Sequence, residues 1–94
     1  MTIERTHQEK QDLIESTMAM LLNAVKRDGI PVSADMRVRE QDAARMVGYA
    51  PGSFKNLRSE GKGPIFYYRP VAGSKVSYRL MDLAMWIEKH RENW

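Results

Sequence analysis

The sequence predicts an α+β fold with four helices, the first an added N-terminal amphipathic helix, and a short β-hairpin. Segments with helical periodicity lie near both ends of the 94-residue chain, at 6–27 and 81–92. Between them, glycine and proline delimit two shorter helical segments. Two strand-like runs, IFYYR at 65–69 and KVSYR at 75–79, flank a glycine-containing turn. This length suits one small domain with one core and an appended arm.

The first predicted helix is broadly amphipathic. Its apolar arc follows a 4-3-4 spacing through Ile14, Met18, Leu21 and Val25. Asp28-Gly29 ends the helix, and residues 30–38 are expected to form an extended connector with Val38 in a short strand. Because the arc is wider than a small domain needs, we expect it to mediate self-association. The alternative is that the helix folds back onto its own domain.

The two middle helices, 40–47 and 51–60, carry a specific spacing. Ala44 is followed by Gly48 after four residues, by Phe54 after ten and by Leu57 after thirteen. A small residue where helices meet, a glycine in the turn and two apolar anchors are the steric requirements of a helix-turn-helix. An ordinary helical hairpin satisfies the same spacing.

The outer face of the 51–60 helix is polar and has little bulk. With Phe54 and Leu57 inward, Gly52, Lys55, Asn56 and Ser59 share the opposite side. Such a face suits insertion into a DNA major groove, although a solvated polar face looks the same in sequence. Pro51 fits the first helical position and Gly61 the left-handed residue after the end.

The net charge of +3 is unevenly distributed along the chain. Residues 37–79 hold nine Lys/Arg against three Asp/Glu, a net of +6, whereas 1–36 and 80–94 carry −2 and −1. A polyanion would therefore be held by the middle of the chain.

Several functional classes lack support in the sequence. There is no cysteine, so disulfides and thiolate chemistry are excluded. His7 and His90 lie far apart, no acid–base motif accompanies Glu40 and Asp42, and Gly61-Lys62-Gly63 lacks the phosphate-loop pattern. We therefore expect no enzymatic activity, metal or cofactor. No apolar run approaches a membrane span and no signal peptide is visible, so we expect an intracellular protein.

The stretch VREQDAARMVGYAPGSFKNLRSEGKGP, followed by FYYRPVAGSKVSYRLMDLAMWI, resembles the excisionase and AlpA-like phage regulators, winged helix-turn-helix proteins distantly related to the MerR DNA-binding domain. The shared elements, in order, are Asp42-Ala43-Ala44, Gly48, Glu60-Gly61, Arg69 to Lys75, and Tyr78 to Trp86. Two departures stand out. Ala50 replaces the usual Ser or Thr cap before Pro51, and residues 1–36 have no counterpart in a minimal excisionase.

This resemblance implies sequence-specific binding of double-stranded DNA. The helix from Pro51 would enter the major groove and the hairpin would act as a wing. The recognition-helix residues expected to contact DNA are Gly52, Ser53, Lys55, Asn56, Arg58 and Ser59; those expected from the wing and its flanks are Lys62, Arg69, Ser74 and Lys75. Residues 37–94 would form this domain, and 1–36 an oligomerisation arm.

The resemblance implies the role of a transcriptional regulator or a recombination directionality factor of a phage or mobile element, in the cytoplasm of a bacterial or phage-infected cell. The expected partners are DNA, a second copy in a homodimer or cooperative oligomer, and in the second role an integrase. Two alternatives use other surfaces. The Met-rich N-terminal helix would bind a partner protein, or Tyr67, Tyr68 and Tyr78 would stack bases of a single strand instead of packing the sheet.

Overall fold

The computed structural model describes residues 4–68 and 75–94. Within them lie four helices and a three-stranded antiparallel sheet, which confirms the α+β class. Their order along the chain is α1 (His7–Asp28), β1 (Arg37–Arg39), α2 (Glu40–Met46), α3 (Pro51–Ser59), β2 (Tyr67–Tyr68), β3 (Val76–Arg79) and α4 (Leu80–Lys89).

Helix α1 has strong signals at both ends. Thr6 caps its start through a capping box, in which the Thr6 hydroxyl accepts from the Glu9 backbone N–H and the Glu9 carboxylate accepts from that of Thr6. At the other end Gly29 adopts a left-handed conformation, with φ of 63°, and its N–H donates to the Val25 carbonyl. The predicted helix and its glycine stop are confirmed.

The apolar arc of α1 packs against α4 of the same chain. Ile14, Leu21 and Val25 are buried in the core, and Met18 is half-buried beside it. This corrects the expected use of Ile14, Met18, Leu21 and Val25 as an oligomerisation surface, because their apolar area already contributes to the chain's own core. The core is also continuous across the proposed boundary at residue 36, so α1 forms part of one hydrophobic unit with the rest.

The sheet has the strand order β1-β3-β2, with the last strand in sequence at its centre. Val38 pairs with Tyr78, and both side chains are buried on the face that meets the helices. Met36, with a left-handed φ of 64°, precedes β1, and its carbonyl accepts from the Leu80 N–H at 2.9 Å. The prediction of a short strand at Val38 is confirmed.

Helices α2 and α3 meet through residues 47–50. Ala43 and Ala44 are fully buried, which lets the two helices approach closely. Gly48 takes φ of 86° in the turn, and the Tyr49 N–H donates to the Ala44 carbonyl at 2.9 Å. The spacing therefore predicted the small contact residues and the glycine turn correctly.

Of the strand expected at 65–69, the described residues form Tyr67–Tyr68 only, and position 69 lies outside them. The next strand begins at Val76, and α4 ends at Lys89, ahead of the expected residue 92. The hairpin turn, with Arg69 and Ser74, lies outside the described residues. No helix within 4–68 and 75–94 has the length and hydropathy needed to cross a membrane.

Candidate nucleic-acid interface

Helix α3 packs against the core through its apolar side and exposes its polar side to solvent. Phe54 is fully buried and Leu57 half-buried on its inner side. Five of the six recognition-helix residues predicted to contact DNA are exposed, namely Gly52, Ser53, Lys55, Asn56 and Ser59, whereas the sixth, Arg58, is half-buried. Because the inner anchors fix the helix, its outer side chains are presented in a defined orientation.

The base of α3 is an aromatic cluster centred on Phe54. The Phe54 ring centroid lies 5.9 Å from that of Tyr49, 5.2 Å from Tyr78 and 6.1 Å from Trp86, the last with edge-to-face geometry. Trp86 also donates its indole N–H to the Lys62 carbonyl at 3.1 Å. The cluster therefore packs α3 against the sheet and α4, and also contacts the segment that follows α3.

The start of α3 depends on backbone geometry. Ala50 occupies the cap position in an extended conformation and makes no side-chain hydrogen bond to the helix. Pro51 follows at the first helical position, where its missing N–H leaves no bond unmade. Both features agree with the departure from the usual Ser or Thr cap noted in the sequence.

Arg58 is held by an internal network and does not project outward. Its guanidinium binds the Glu40 carboxylate through two hydrogen bonds, Nε to Oε2 at 2.6 Å and Nη2 to Oε1 at 3.2 Å. Its side chain is only 13% exposed. We therefore remove Arg58 from the expected DNA contacts, because each of its three side-chain nitrogens already donates a hydrogen bond within the protein and the ion pair is largely buried.

The same network extends to both sheet tyrosines. Tyr78 donates its hydroxyl hydrogen to Glu40 Oε2 at 2.8 Å, and Arg58 Nη1 donates to the Tyr68 hydroxyl at 3.3 Å. Glu40 starts α2, Arg58 lies in the last turn of α3, and the tyrosines belong to β3 and β2. The network thus fixes α3 relative to the strands of the hairpin.

Ionisation of the network follows from these contacts. Burial raises the pKa of Glu40, but hydrogen bonds from Arg58 and Tyr78 and the Arg58 charge outweigh it and hold that pKa below its usual value. The hydrogen bond to Glu40 raises the pKa of Arg58. Burial and the Glu40 carboxylate raise the pKa of Tyr78 well above its ordinary value. At neutral pH the network is therefore a carboxylate, a guanidinium and a neutral phenol.

A groove of about 450 Å³ separates the start of α3 from the start of β3, and we call it the α3 groove. It brings together three predicted DNA contacts, Gly52 and Lys55 from α3 and Lys75 from the start of β3; the two lysines supply its predicted positive charge. Both side chains are exposed. Lys62, also exposed, lies after the end of α3 and forms a 3.6 Å ion pair with Glu60.

Sequence reasoning missed two groups of residues at this site. Arg39 and Gln41 line the α3 groove, although neither was assigned a contact. The signal for Arg39 was its place in the positively charged segment, which gives charge but no position. Glu40 was considered only as a catalytic acid, whereas it pairs with a residue 18 positions away.

No group of three or more His, Asp or Glu side chains in the described part of the chain is arranged to hold a metal ion. The polar groups of α3 and the α3 groove instead offer hydrogen-bond donors and cations at the surface. Comparisons of the chain with protein-family models, with curated proteins and with solved structures found no match.

Proposed function

We propose that this protein binds double-stranded DNA sequence-specifically as a winged helix-turn-helix, in the role of a transcriptional regulator or a recombination directionality factor of a phage or mobile element. Helix α3 enters the major groove, and the hairpin that contains β2 and β3 is the wing. The observation that carries the proposal is the exposed, small and polar face of α3 on a rigid apolar base. Lys55 and Lys75 add positive charge on either side of the α3 groove.

Binding of a partner protein through α1 has less support. Ile14, Leu21 and Val25, which lie on the apolar arc of that helix, are buried in the core, and α1 packs against α4. Because its own domain covers most of the apolar arc, α1 leaves a partner little apolar surface, with Met20 exposed at 61%.

The direct experiment is selection of binding sites from a randomised duplex library, followed by mobility-shift titration of the selected and scrambled sequences. The proposal requires the selected duplex to bind at least a thousandfold more tightly than the scrambled one, about the lower bound for specific recognition. Equal affinities would exclude sequence-specific binding. A bending assay on the selected site then separates the two roles, because a directionality factor must bend DNA.

Replacing Asn56 with alanine is expected to weaken binding to the selected site by about 1–3 kcal/mol and to leave scrambled DNA nearly unaffected. Asn56 is exposed on the outer face of α3, and an amide pairs best with an adenine edge. Titration of both duplexes measures the effect. Asn23→Ala, an exposed asparagine on α1, is the matched control and should change neither affinity. Equal losses on both duplexes would show that α3 does not read bases.

Replacing Lys55 or Lys75 with glutamine is expected to weaken binding to selected and scrambled DNA alike. Each change should lower the slope of log affinity against log salt by about one unit, since each lysine neutralises one phosphate. Affinities measured at several salt concentrations give the slope. Lys26→Gln, an exposed lysine on α1, provides a control with the same loss of charge. An unchanged slope for Lys55→Gln and Lys75→Gln would remove the α3 groove from the DNA interface.

A further inference from the structure

A second groove continues from the α3 groove across the sheet. It has a volume of about 550 Å³ and lies between residues 31–33 of the connector and strands β1 and β3; we call it the sheet groove. The two grooves share Arg39, Lys75 and Val76. They therefore form one path from the start of α3, across β1 and β3, to the connector.

The outer face of the sheet along this path is rich in arginine. The strand register places Arg37 opposite Arg79 and Arg39 opposite Ser77, on the face away from the helices. Arg37 donates to the Ser77 hydroxyl at 3.3 Å, and the guanidiniums of Arg37 and Arg79 lie 5.7 and 5.3 Å from the Tyr67 ring centroid. These contacts order Arg37, which lines the sheet groove, and Arg79 on the same face beside it.

The acidic partners of these arginines do not cancel the outward charge. Arg39 pairs with Asp42 at 3.2 Å, but its own side chain is 57% exposed whereas that of Asp42 is 8% exposed. The cation thus faces the groove and the carboxylate lies behind it. Asp35 binds Arg37 at 2.9 Å and Arg79 at 3.5 Å, so one carboxylate serves two guanidiniums.

We infer that the sheet groove is a second phosphate-binding surface, which holds the backbone of the duplex flanking the segment read by α3. Arg39 and Arg37 contact these flanking phosphates, and Lys75 links them to those beside α3. The charge and the continuity of the two grooves favour a long polyanion over an isolated anion. This inference rests on the proposed function and extends the footprint beyond the helix and the wing.

The test uses a paired neutralisation, Arg39→Gln with Asp42→Asn. It leaves the net charge unchanged and leaves no buried carboxylate without a partner. The matched control is Arg27→Gln with Asp28→Asn, an ion pair of similar length at 3.0 Å near the end of α1. Both proteins and the wild type are titrated with the selected duplex, with duplexes shortened stepwise from each end, and at several salt concentrations. Circular dichroism melts establish that each variant is folded.

We expect the wild type to lose affinity when flanking base pairs are removed, and the Arg39/Asp42 variant to be insensitive to that removal. On the full-length duplex the variant should bind roughly five- to tenfold more weakly and lose about one unit of salt slope. The control should behave as the wild type. If the Arg39/Asp42 variant does not fold, Arg37→Gln with Asp35→Asn is measured for the same outcomes in the same groove.

The possible failures are distinct. If the wild type binds the selected duplex but the groove variant matches the control, or responds to trimming as the wild type does, the sheet groove is not a phosphate-binding surface and the proposed function stands. If the wild type binds no duplex more tightly than scrambled DNA, the proposed function fails, and this inference fails with it. The inference would also be overturned if the wild type bound an acidic peptide more tightly than the selected duplex and the Arg39/Asp42 variant lost that peptide binding.

Discussion

Replacing Phe54 with alanine is expected to lower the free energy of unfolding by about 3–5 kcal/mol. The Phe54 side chain is fully buried and contacts the rings of Tyr49, Tyr78 and Trp86. Its removal loses the transfer free energy of the ring and leaves a cavity where four structural segments meet. Since small domains are stable by about 5–15 kcal/mol in total, this one change removes a large share.

The measurement is urea unfolding followed by circular dichroism, with the midpoint and slope fitted for each protein. Ser53→Ala and Ser59→Ala are controls on the exposed side of the same helix and should change stability by about 0.5 kcal/mol or less. Phe54→Leu should fall between, because it retains part of the volume. A loss below about 1 kcal/mol for Phe54→Ala would contradict the central position of this ring.

Helix and turn positions were predictable because single residues impose them. Gly29, Gly48 and Gly61 all adopt a positive φ, which glycine accommodates best, and Pro51 begins α3. The inward positions of Ala44 and Phe54 follow from helical periodicity and burial. Turn geometry and helical periodicity depend on residues that are close in sequence, so both can be predicted without a structure.

Pairing across the fold was not predictable in the same way. Periodicity predicted an apolar arc on α1 but not that α4 covers it. The same pattern would suit packing on the chain's own domain and packing on a second copy. The bond between Glu40 and Arg58 joins two helices through side chains whose approach depends on the turn between them. The strand β2 likewise depends on its partner, since in the described residues it consists of Tyr67 and Tyr68, both paired with β3.

Replacing Glu40 with glutamine is expected to lower the free energy of unfolding by about 2 kcal/mol at neutral pH. The change removes the charge that accepts from Arg58 and Tyr78 and leaves the guanidinium without its carboxylate. Breaking a fully buried pair costs about 3–5 kcal/mol, and a hydrogen bond to a charged group contributes about 1.5–3 kcal/mol. The side chains of Arg58 and Glu40 are 13% and 18% exposed, so the pair is not fully buried. We therefore expect a cost at the lower end of these values.

The difference between the wild type and Glu40→Gln should depend on pH with a definite sign. The folded-state pKa of Glu40 is lowered, so its stabilisation is fully present above the unfolded pKa of about 4.3 and is lost as pH falls through the lower folded value. Urea unfolding at several pH values between about 2 and 7 measures the change. Glu15→Gln, an exposed glutamate on α1, is the control and should differ little from the wild type at any of them. If the difference in free energy of unfolding between the two proteins stayed constant down to the lowest pH, the Glu40 carboxylate would not be its source.

The same substitution should also separate orientation from charge in DNA binding. Loss of a carboxylate raises the net charge by one and should hold or increase affinity for scrambled DNA. Without the Glu40 bond, however, α3 is less firmly oriented relative to β2 and β3, so affinity for the selected site should fall and the ratio of the two affinities should narrow. Arg58→Gln and the double variant complete a double-mutant cycle for affinity to the selected site. The affinity losses of the two single variants should not add, because each variant removes the same ion pair. Fully additive losses would mean that Glu40 and Arg58 act independently, and would assign Arg58 a DNA contact of its own.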